Sequence, residues 1–137
     1  MAQFLHIRVQ DIDLLIPAFQ VHEVVDLDHA SSPSDGHGLW RNQVIHQFDL
    51  AHLLQRPNTT PTRNYGVVYS PDPWIDRCVL MRIDRVLGLK KPRREELHAL
   101  PGVSTLAHRI FDAIWTDPQL GHKAYILKSQ LPKDFMV

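Results

Sequence analysis

The chain has 137 residues, 44% of them hydrophobic, enough for one globular domain or two small subdomains that share a core. Fifteen basic and fifteen acidic residues cancel, so no global field attracts nucleic acid or an anionic membrane. The single cysteine, Cys78, cannot form an internal disulfide, and no apolar leader or long apolar span is visible. We therefore expect a cytoplasmic protein without membrane insertion. Ten prolines and short apolar runs favour many short strands over a helical bundle.

The N-terminal part predicts a β-hairpin followed by a third strand. Phe4–Val9 alternates apolar and polar residues, which is typical of a half-buried strand. A polar turn and a short apolar run ended by Pro17 complete the hairpin, because proline fixes φ and ends regular pairing. In the next strand Val21, Glu23 and Val25 alternate with their neighbours, so they are predicted to share one face.

The stretch Gly36–Leu54 predicts a strand that continues into a short helix. Three β-branched or aromatic residues after a turn-rich entry indicate the strand, namely Val44, Ile45 and Phe48. Asp49 can accept backbone N–H bonds as a helix N-cap, and the three leucines that follow share one helical face. Polar segments at 29–38 and 56–64 are predicted to be surface loops.

The part of the chain after the second polar loop predicts a further set of strands. Tyr65–Tyr69 and Cys78–Ile83 indicate two strands separated by a Pro-Asp-Pro turn. Glu95–Leu100 indicates a helical turn, because a Pro-Gly pair closes it. Ile110–Trp115 and Lys123–Lys128 predict a closing hairpin.

Four short motifs, in this order along the chain, resemble those of the CheW-type chemotaxis coupling proteins. The run from Ile16 to Val24 is similar, residue for residue, to the family's Ile/Leu-Pro-x-x-x-Val-x-Glu-Val motif. The family's opening glycine, turn arginine and Val-x-Pro-Val-x-Asp-Leu strand resemble a set of matching positions, Gly36, Arg41, Val44, Phe48, Asp49 and Leu50. Asp84–Leu89 resembles the Val-Asp-x-Val-x-Gly run, and Leu131 with Pro132 loosely resembles the terminal turn.

The chain departs from the family pattern at a few positions. Asn42 stands where the turn glycine is expected, His46 replaces the strand proline, and Leu80 replaces a glycine. Residues 37–40 replace a Gly-Val-x-Asn-Leu run. Asn42 is the mildest change, because asparagine adopts positive φ more readily than other non-glycine residues.

The resemblance, which covers about Phe4–Leu131, implies an all-β fold. Two small five-stranded SH3-like antiparallel barrels would pack together around a shared core, with a few short helices. Residues 1–137 would form a single CheW-like domain, with subdomain one at about 1–56, subdomain two at about 64–131, and an exchanged terminal strand between them. The residue pattern, with short strands in two groups separated by a polar linker, agrees with this picture.

The resemblance also implies a non-enzymatic adaptor that acts through protein–protein contacts. Its partners would be the cytoplasmic tip of a chemoreceptor, the regulatory domain of a CheA-type histidine kinase, and other CheW-like proteins. The candidate partner-binding residues are Val21, Glu23, Val24, Trp40, Arg41, Asp84 and Val86. No catalytic residue, metal ligand, cofactor or nucleic-acid partner is expected.

The residues alone leave two roles open at several of these positions. Arg41 follows a turn, so its guanidinium can bind a carboxylate or carbonyl of a partner, or form an internal ion pair with Glu23 or Asp49. Trp40 can anchor a partner protein or pack in the core. Val21 can likewise be a contact or a core residue.

Nine histidines raise an alternative function, a small metal binder or enzyme that uses His46, Asp49 and His52. Against it, no pair of histidines has the helical metal-ligand spacing, and no nucleophile or phosphate-binding motif occurs. Cys78 is predicted to be a buried, inert thiol. A nucleic-acid-binding barrel is disfavoured by the balanced charge. The basic run Lys90–Arg94 indicates a solvated loop or a contact for an acidic partner.

Overall fold

The computed structural model describes residues 2–26, 37–41, 43–48, 65–72, 74, 77–102 and 105–131. The described part contains eleven strands: β1 (Phe4–Val9), β2 (Ile12–Pro17), β3 (Val21–Asp26), β4 (His37–Trp40), β5 (Gln43–Phe48), β6 (Tyr65–Tyr69), β7 (Val79–Ile83), β8 (Arg85–Lys90), β9 (Leu97–His98), β10 (Phe111–Thr116) and β11 (Lys123–Leu127). Its helices are short: an α-helix, α1 (Thr105–Ile110), and 3-10 helices at Ala18–Gln20 and Arg94–Glu96.

The strands form two sheets, which confirms the predicted all-β fold class. The six-stranded sheet has the order β8-β1-β2-β11-β10-β9, and the five-stranded sheet has the order β3-β6-β7-β5-β4. The structure differs from two five-stranded antiparallel barrels, because one sheet has a sixth strand and β11 lies parallel to β2, as β5 does to β7. These partners are far apart along the chain, so a tight hairpin does not impose antiparallel pairing on them.

The sheet composition crosses the midpoint of the chain. The N-terminal strands β1 and β2 lie in the sheet that holds β8 to β11, whereas β3, β4 and β5 join β6 and β7. The predicted subdomain boundary at 56–64 and the predicted helix after Asp49 lie outside the described residues. The division into two subdomains therefore stays a prediction.

Two segments differ from the sequence prediction near the C-terminus. The helical turn predicted at Glu95–Leu100 is a 3-10 helix that ends at Glu96, and β9 follows it at once. The reason is that β9 pairs with β10 and extends the sheet by one short strand. The predicted strand at Ile110 begins one residue later, because Ile110 ends α1 and is buried in the main core.

One apolar core joins the two sheets. Its side chains come from alternate positions of β1, β2, β6 and β7, as expected for strands that turn one face inward. They include Leu5, Ile7, Leu14, Ile16, Val67, Tyr69, Val79, Met81 and Ile83, and α1, β10 and β11 add further members. Burying each large apolar side chain contributes about 1.5–3 kcal/mol relative to exposure, so this core dominates the packing energy.

A smaller cluster covers the other face of each sheet. Leu15, Trp115 and their neighbours form one behind the six-stranded sheet, and Val68 and Leu80 belong to the other. The first cluster explains why β1 is not half-buried as predicted: His6 is 4% exposed and meets the Trp115 ring edge-on at 6.0 Å.

The buried carboxylate of Asp13 holds two basic side chains of β1. Arg8 Nε donates to Oδ1 at 2.6 Å, and His6 Nε2 lies 3.1 Å from Oδ2. Burial alone would raise the pKa of Asp13, but the hydrogen bonds from Arg8 and His6 outweigh it and hold the pKa below its usual value. Because the folded-state pKa is lowered, this stabilisation is present above the unfolded-state pKa and is lost as the pH falls through the folded-state value.

We expect Asp13→Asn to lower the free energy of unfolding by about 1–3 kcal/mol at neutral pH, because the hydrogen bonds from Arg8 and His6 to the carboxylate are weakened. The variant should also lose part of the stability decrease seen on acidification below about pH 4. Chemical denaturation at several pH values measures both effects. The exposed Asp112→Asn is the matched control, and an unchanged acid profile in Asp13→Asn would contradict the account.

A second set of polar contacts connects three chain segments through the buried side chain of Gln20. Its Nε2 donates to the carbonyl oxygens of Ser70 and Ser129, both at 2.7 Å. The bonds connect the 3-10 helix after β2 to the residues that follow β6 and β11. The side chain is 3% exposed, so water does not replace these bonds.

We expect Gln20→Glu to lower the free energy of unfolding by about 2–4 kcal/mol, because a carboxylate would face two carbonyl oxygens and leave both without a donor. The exposed Gln3→Glu adds the same charge and is the matched control. Thermal and denaturant unfolding provide the measurement. Equal stability of the two variants would show that the Gln20 bonds do not support the fold.

Candidate functional site

Three of the predicted partner-binding residues, Glu23, Trp40 and Arg41, lie together and are called the Glu23 cluster below. Trp40 Nε1 donates to Glu23 Oε2 at 2.6 Å, and Arg41 Nε lies 3.9 Å from the same oxygen. The Arg41 guanidinium carbon also lies 4.6 Å from the Trp40 ring centroid, within cation–π range. β3 and β4 are the two outer strands of the five-stranded sheet. The contacts of the Glu23 cluster therefore connect the two edges of that sheet.

Arg41 is both an internal ion-pair partner and a solvent-facing side chain. Its side chain is 70% exposed and that of Glu23 is 44% exposed, so the pair contributes less than about 1 kcal/mol. The guanidinium therefore keeps donors that face solvent. The other proposed ion-pair partner, Asp49, lies outside the described residues.

The backbone of Arg41 adopts φ +48°, which is uncommon for a residue other than glycine. Trp40 pairs with Gln43, so Arg41 lies in the two-residue turn between β4 and β5, where positive φ matches the twist of the hairpin. The sequence pattern assigned the positive φ to Asn42, which lies outside the described residues. The Arg41 side chain therefore starts from a turn at the edge of the five-stranded sheet.

Val21 and His22 lie beside this cluster on β3. Val21 is half-buried and packs against the main core. It is therefore a core residue, and its contact with a partner stays a prediction. His22 Nε2 lies 2.8 Å from Ser70 Oγ, and its ring centroid is 6.1 Å from that of Trp40. His22 therefore lies against Trp40, whereas Val21 fixes the start of β3 on the core.

A groove of about 430 Å³ lies between the two sheets and is called the edge groove below. Val24, Tyr65, Arg85 and Val86 line it. Val24 and Val86 are 41% and 40% exposed, and Tyr65 is 44% exposed, so apolar surface is open to solvent. β3 and β8 are outer strands of different sheets, and the groove brings together Val24 and Val86, two predicted residues far apart in sequence.

Asp84 holds the start of β8 in place. Its carboxylate accepts the backbone N–H of Gln10, and its own N–H donates to the Arg8 carbonyl at 2.8 Å. These bonds connect the bend before β8 to the β1–β2 hairpin, and Val86 follows two residues later. The partner-binding role of Asp84 stays a prediction.

Two groove residues, Tyr65 and Arg85, were not among the sequence candidates. Tyr65 begins a predicted strand and Arg85 follows Asp84 in a family-like run, but neither local pattern indicates that the two side chains share one groove. Their shared location depends on the approach of β6 and β8 in space. A large aromatic at a strand end beside a polar linker was the one available signal for Tyr65.

The residues of the metal or enzyme alternative give no site in the described structure. His46 is half-buried in β5, whereas Asp49 and His52 lie outside the described residues. Within the described part, no group of three or more His, Cys, Asp or Glu side chains is placed to hold a metal ion. Cys78 is half-buried, with its Sγ 3.9 Å from Ser70 Oγ. A membrane-crossing helix needs about 20 apolar residues, and none of the described helices meets that requirement.

Comparisons with known proteins bear on the fold and the family of this chain. A search of curated proteins found no match. The crystal structure of the scaffolding protein TtCheW from Thermoanaerobacter tengcongensis is similar, with a TM-score of 0.75 and 15% sequence identity over 93% of this chain and 88% of that chain. At that identity the likeness shows the fold. The family model for the CheW-like domain matches residues 3–126, so the chain belongs to the CheW-like domain family, which supports a scaffold or adaptor role in chemotaxis signalling.

Proposed function

We propose that this protein couples the cytoplasmic tip of a chemoreceptor to a CheA-type histidine kinase, and that it does so in the cytoplasm through reversible protein–protein contacts. The observation that carries the proposal is the edge groove, where apolar side chains of β3 and β8 stay exposed between two rigid sheets. An adaptor needs shaped surfaces that hold other proteins, and it needs no reactive groups. Family membership supports the same conclusion.

The edge groove suits an amphipathic helix of the receptor tip. Such a helix places its apolar side chains on one face and can insert them into a groove. Val24, Tyr65 and Val86 offer the apolar contacts, and the guanidinium of Arg85 at the same groove can pair with a carboxylate or with carbonyls at a helix end. A contact of this size gives modest affinity, which allows signalling complexes to exchange.

The Glu23 cluster provides a polar contact next to the groove. Glu23 and Val24 are neighbours on β3, so their side chains lie on opposite faces of this outer strand. A partner that extends from the groove around the edge of β3 can also reach the exposed Arg41 guanidinium. Trp40 and Glu23 hold that guanidinium from two sides, which limits the side-chain entropy lost on binding. Arg41 would therefore add specificity for an acidic or carbonyl-rich part of the receptor.

The kinase regulatory domain is the second proposed partner, and other CheW-like proteins are further candidates. The sequence analysis associated the Asp84–Leu89 run with the kinase. Because Val86 lines the same groove as Val24, we assign Val86 to the receptor and keep Asp84, at the bend before β8, as the candidate kinase contact. The two partners then use neighbouring surfaces of one rigid body.

We expect Val24→Asp and Val86→Asp each to weaken binding of a receptor-tip fragment at least tenfold, because each places a charge in the apolar groove without a partner. Binding of the kinase regulatory domain should persist. Isothermal titration calorimetry with each fragment separately provides the measurement. Leu120→Asp, at a more exposed apolar position outside the groove, is the control. The proposal would be contradicted if Val24→Asp abolished only receptor binding and Val86→Asp abolished only kinase binding, because the groove would then not be a single receptor site.

We expect Arg41→Glu to weaken receptor-tip binding at least fivefold while the fold persists, because the pair with Glu23 contributes little to stability. Arg41→Gly should bind equally poorly, although its stability stays within about 1 kcal/mol of the parent, since glycine suits the positive φ. Circular dichroism and thermal unfolding confirm the fold. Undiminished binding in both variants would remove Arg41 from the site.

A further inference from the structure

A second cleft lies at the opposite end of β8 from the edge groove. It has a volume of about 350 Å³, and its lining includes Leu89, Lys90, Lys91 and Arg93. We call it the basic cleft. The indole of Trp115 belongs to the same cleft and is almost fully buried, so the cleft is built on a packed part of the six-stranded sheet.

The lysines of the basic cleft are not neutralised within the described structure. Neither Lys90 nor Lys91 forms an ion pair with a described carboxylate. Lys91 and Arg93 are exposed, and Lys90 is half-buried. Three cations therefore line one concave surface of a chain whose formal net charge is zero. An incoming anionic group can pair with them directly.

The two carboxylates of the cleft are held by internal donors. Glu96 Oε1 accepts the backbone N–H of Arg93 at 2.8 Å and the indole N–H of Trp115 at 3.1 Å. These bonds lower the pKa of Glu96, and the bond from the Arg93 backbone has the larger effect. Asp117 is buried and accepts the backbone N–H of Gln119 at 2.8 Å. These neutral donors position both acids without cancelling their charge, so the lining holds three basic and two acidic side chains. Within the described residues, neither acid forms an ion pair with Lys90 or Lys91, which leaves the lysines for a ligand.

We propose that the basic cleft binds an acidic segment of a partner protein, with two or more carboxylates paired to Lys90, Lys91 and Arg93 and an apolar side chain packed on Leu89. Leu89 is 56% exposed at the cleft and offers a contact that an inorganic anion does not use. The balanced net charge gives no broad positive field for a membrane or a nucleic acid, so the complementarity is local. This site is distinct from the edge groove.

The test uses the full chain and a fluorescein-labelled peptide of sequence Glu-Glu-Leu-Glu-Glu, with binding followed by fluorescence anisotropy at low ionic strength. We expect saturable binding that weakens as salt is added. Lys91→Glu should weaken binding about tenfold. Arg94→Glu changes the net charge equally and lies in the same basic run, but Arg94 is not in the cleft lining, so its effect should stay below about twofold.

Glu96→Gln gives a second, independent readout. The amide oxygen keeps an acceptor for Arg93 and Trp115, but the negative charge in the cleft is removed, so binding should strengthen about two- to threefold. Val86→Asp in the edge groove should leave peptide binding unchanged, which separates this proposal from that for the receptor. Circular dichroism verifies that every variant is folded.

Several results would overturn the proposal. If Lys91→Glu and Arg94→Glu weakened peptide binding equally, the effect would come from long-range charge and the peptide would not be bound in the cleft. Equal affinity for the peptide Gln-Gln-Leu-Gln-Gln would remove the role of the carboxylates. Tighter binding of inorganic phosphate, of anionic phospholipid vesicles or of a single-stranded oligonucleotide than of the acidic peptide would assign the cations to another ligand.

Discussion

The packing of the two sheets on a single apolar core determines the rest of the molecule. Alternate residues of β1 and β2 meet those of β6 and β7, and the resulting cluster has almost no exposed side chains. Because the sheets are held face to face, their outer strands β3 and β8 come to lie beside each other. The edge groove is thus a consequence of core packing, and its walls are as rigid as the sheets that carry them.

Polar ties at the margins of the core fix the positions that a partner would meet. Asp84 connects the start of β8 to the β1–β2 hairpin, and Gln20 connects the segment before β3 to the ends of two other strands. The bond from Trp40 to Glu23 closes the five-stranded sheet edge to edge. Each of these hydrogen bonds lies next to a candidate contact residue, so the bonds that stabilise the fold also position the partner-binding surface.

β1 and β3 were predictable from alternation, and β2, β6 and β7 from short apolar runs bounded by turn residues, because both patterns are local properties of the sequence. The burial of His6, the pairing of β9 and the helix before β10 were not, since each depends on a neighbour distant in the chain. The same holds for the site. Glu23 and Arg41 came from family-like motifs and Trp40 from its aromatic character, whereas the meeting of Val24 with Val86 depends on how two sheets pack.

Hydrogen exchange of the backbone amides in Met81→Ala tests the central claim most directly. Met81 is fully buried in the core on the five-stranded sheet, and its truncation should cost about 2–5 kcal/mol. If one core holds both sheets, the free energy of exchange of the slowest amides should fall equally in β1 and β2 and in β6 and β7. A fall confined to β6 and β7, with β1 and β2 unchanged, would show that the sheets unfold separately and would contradict the account.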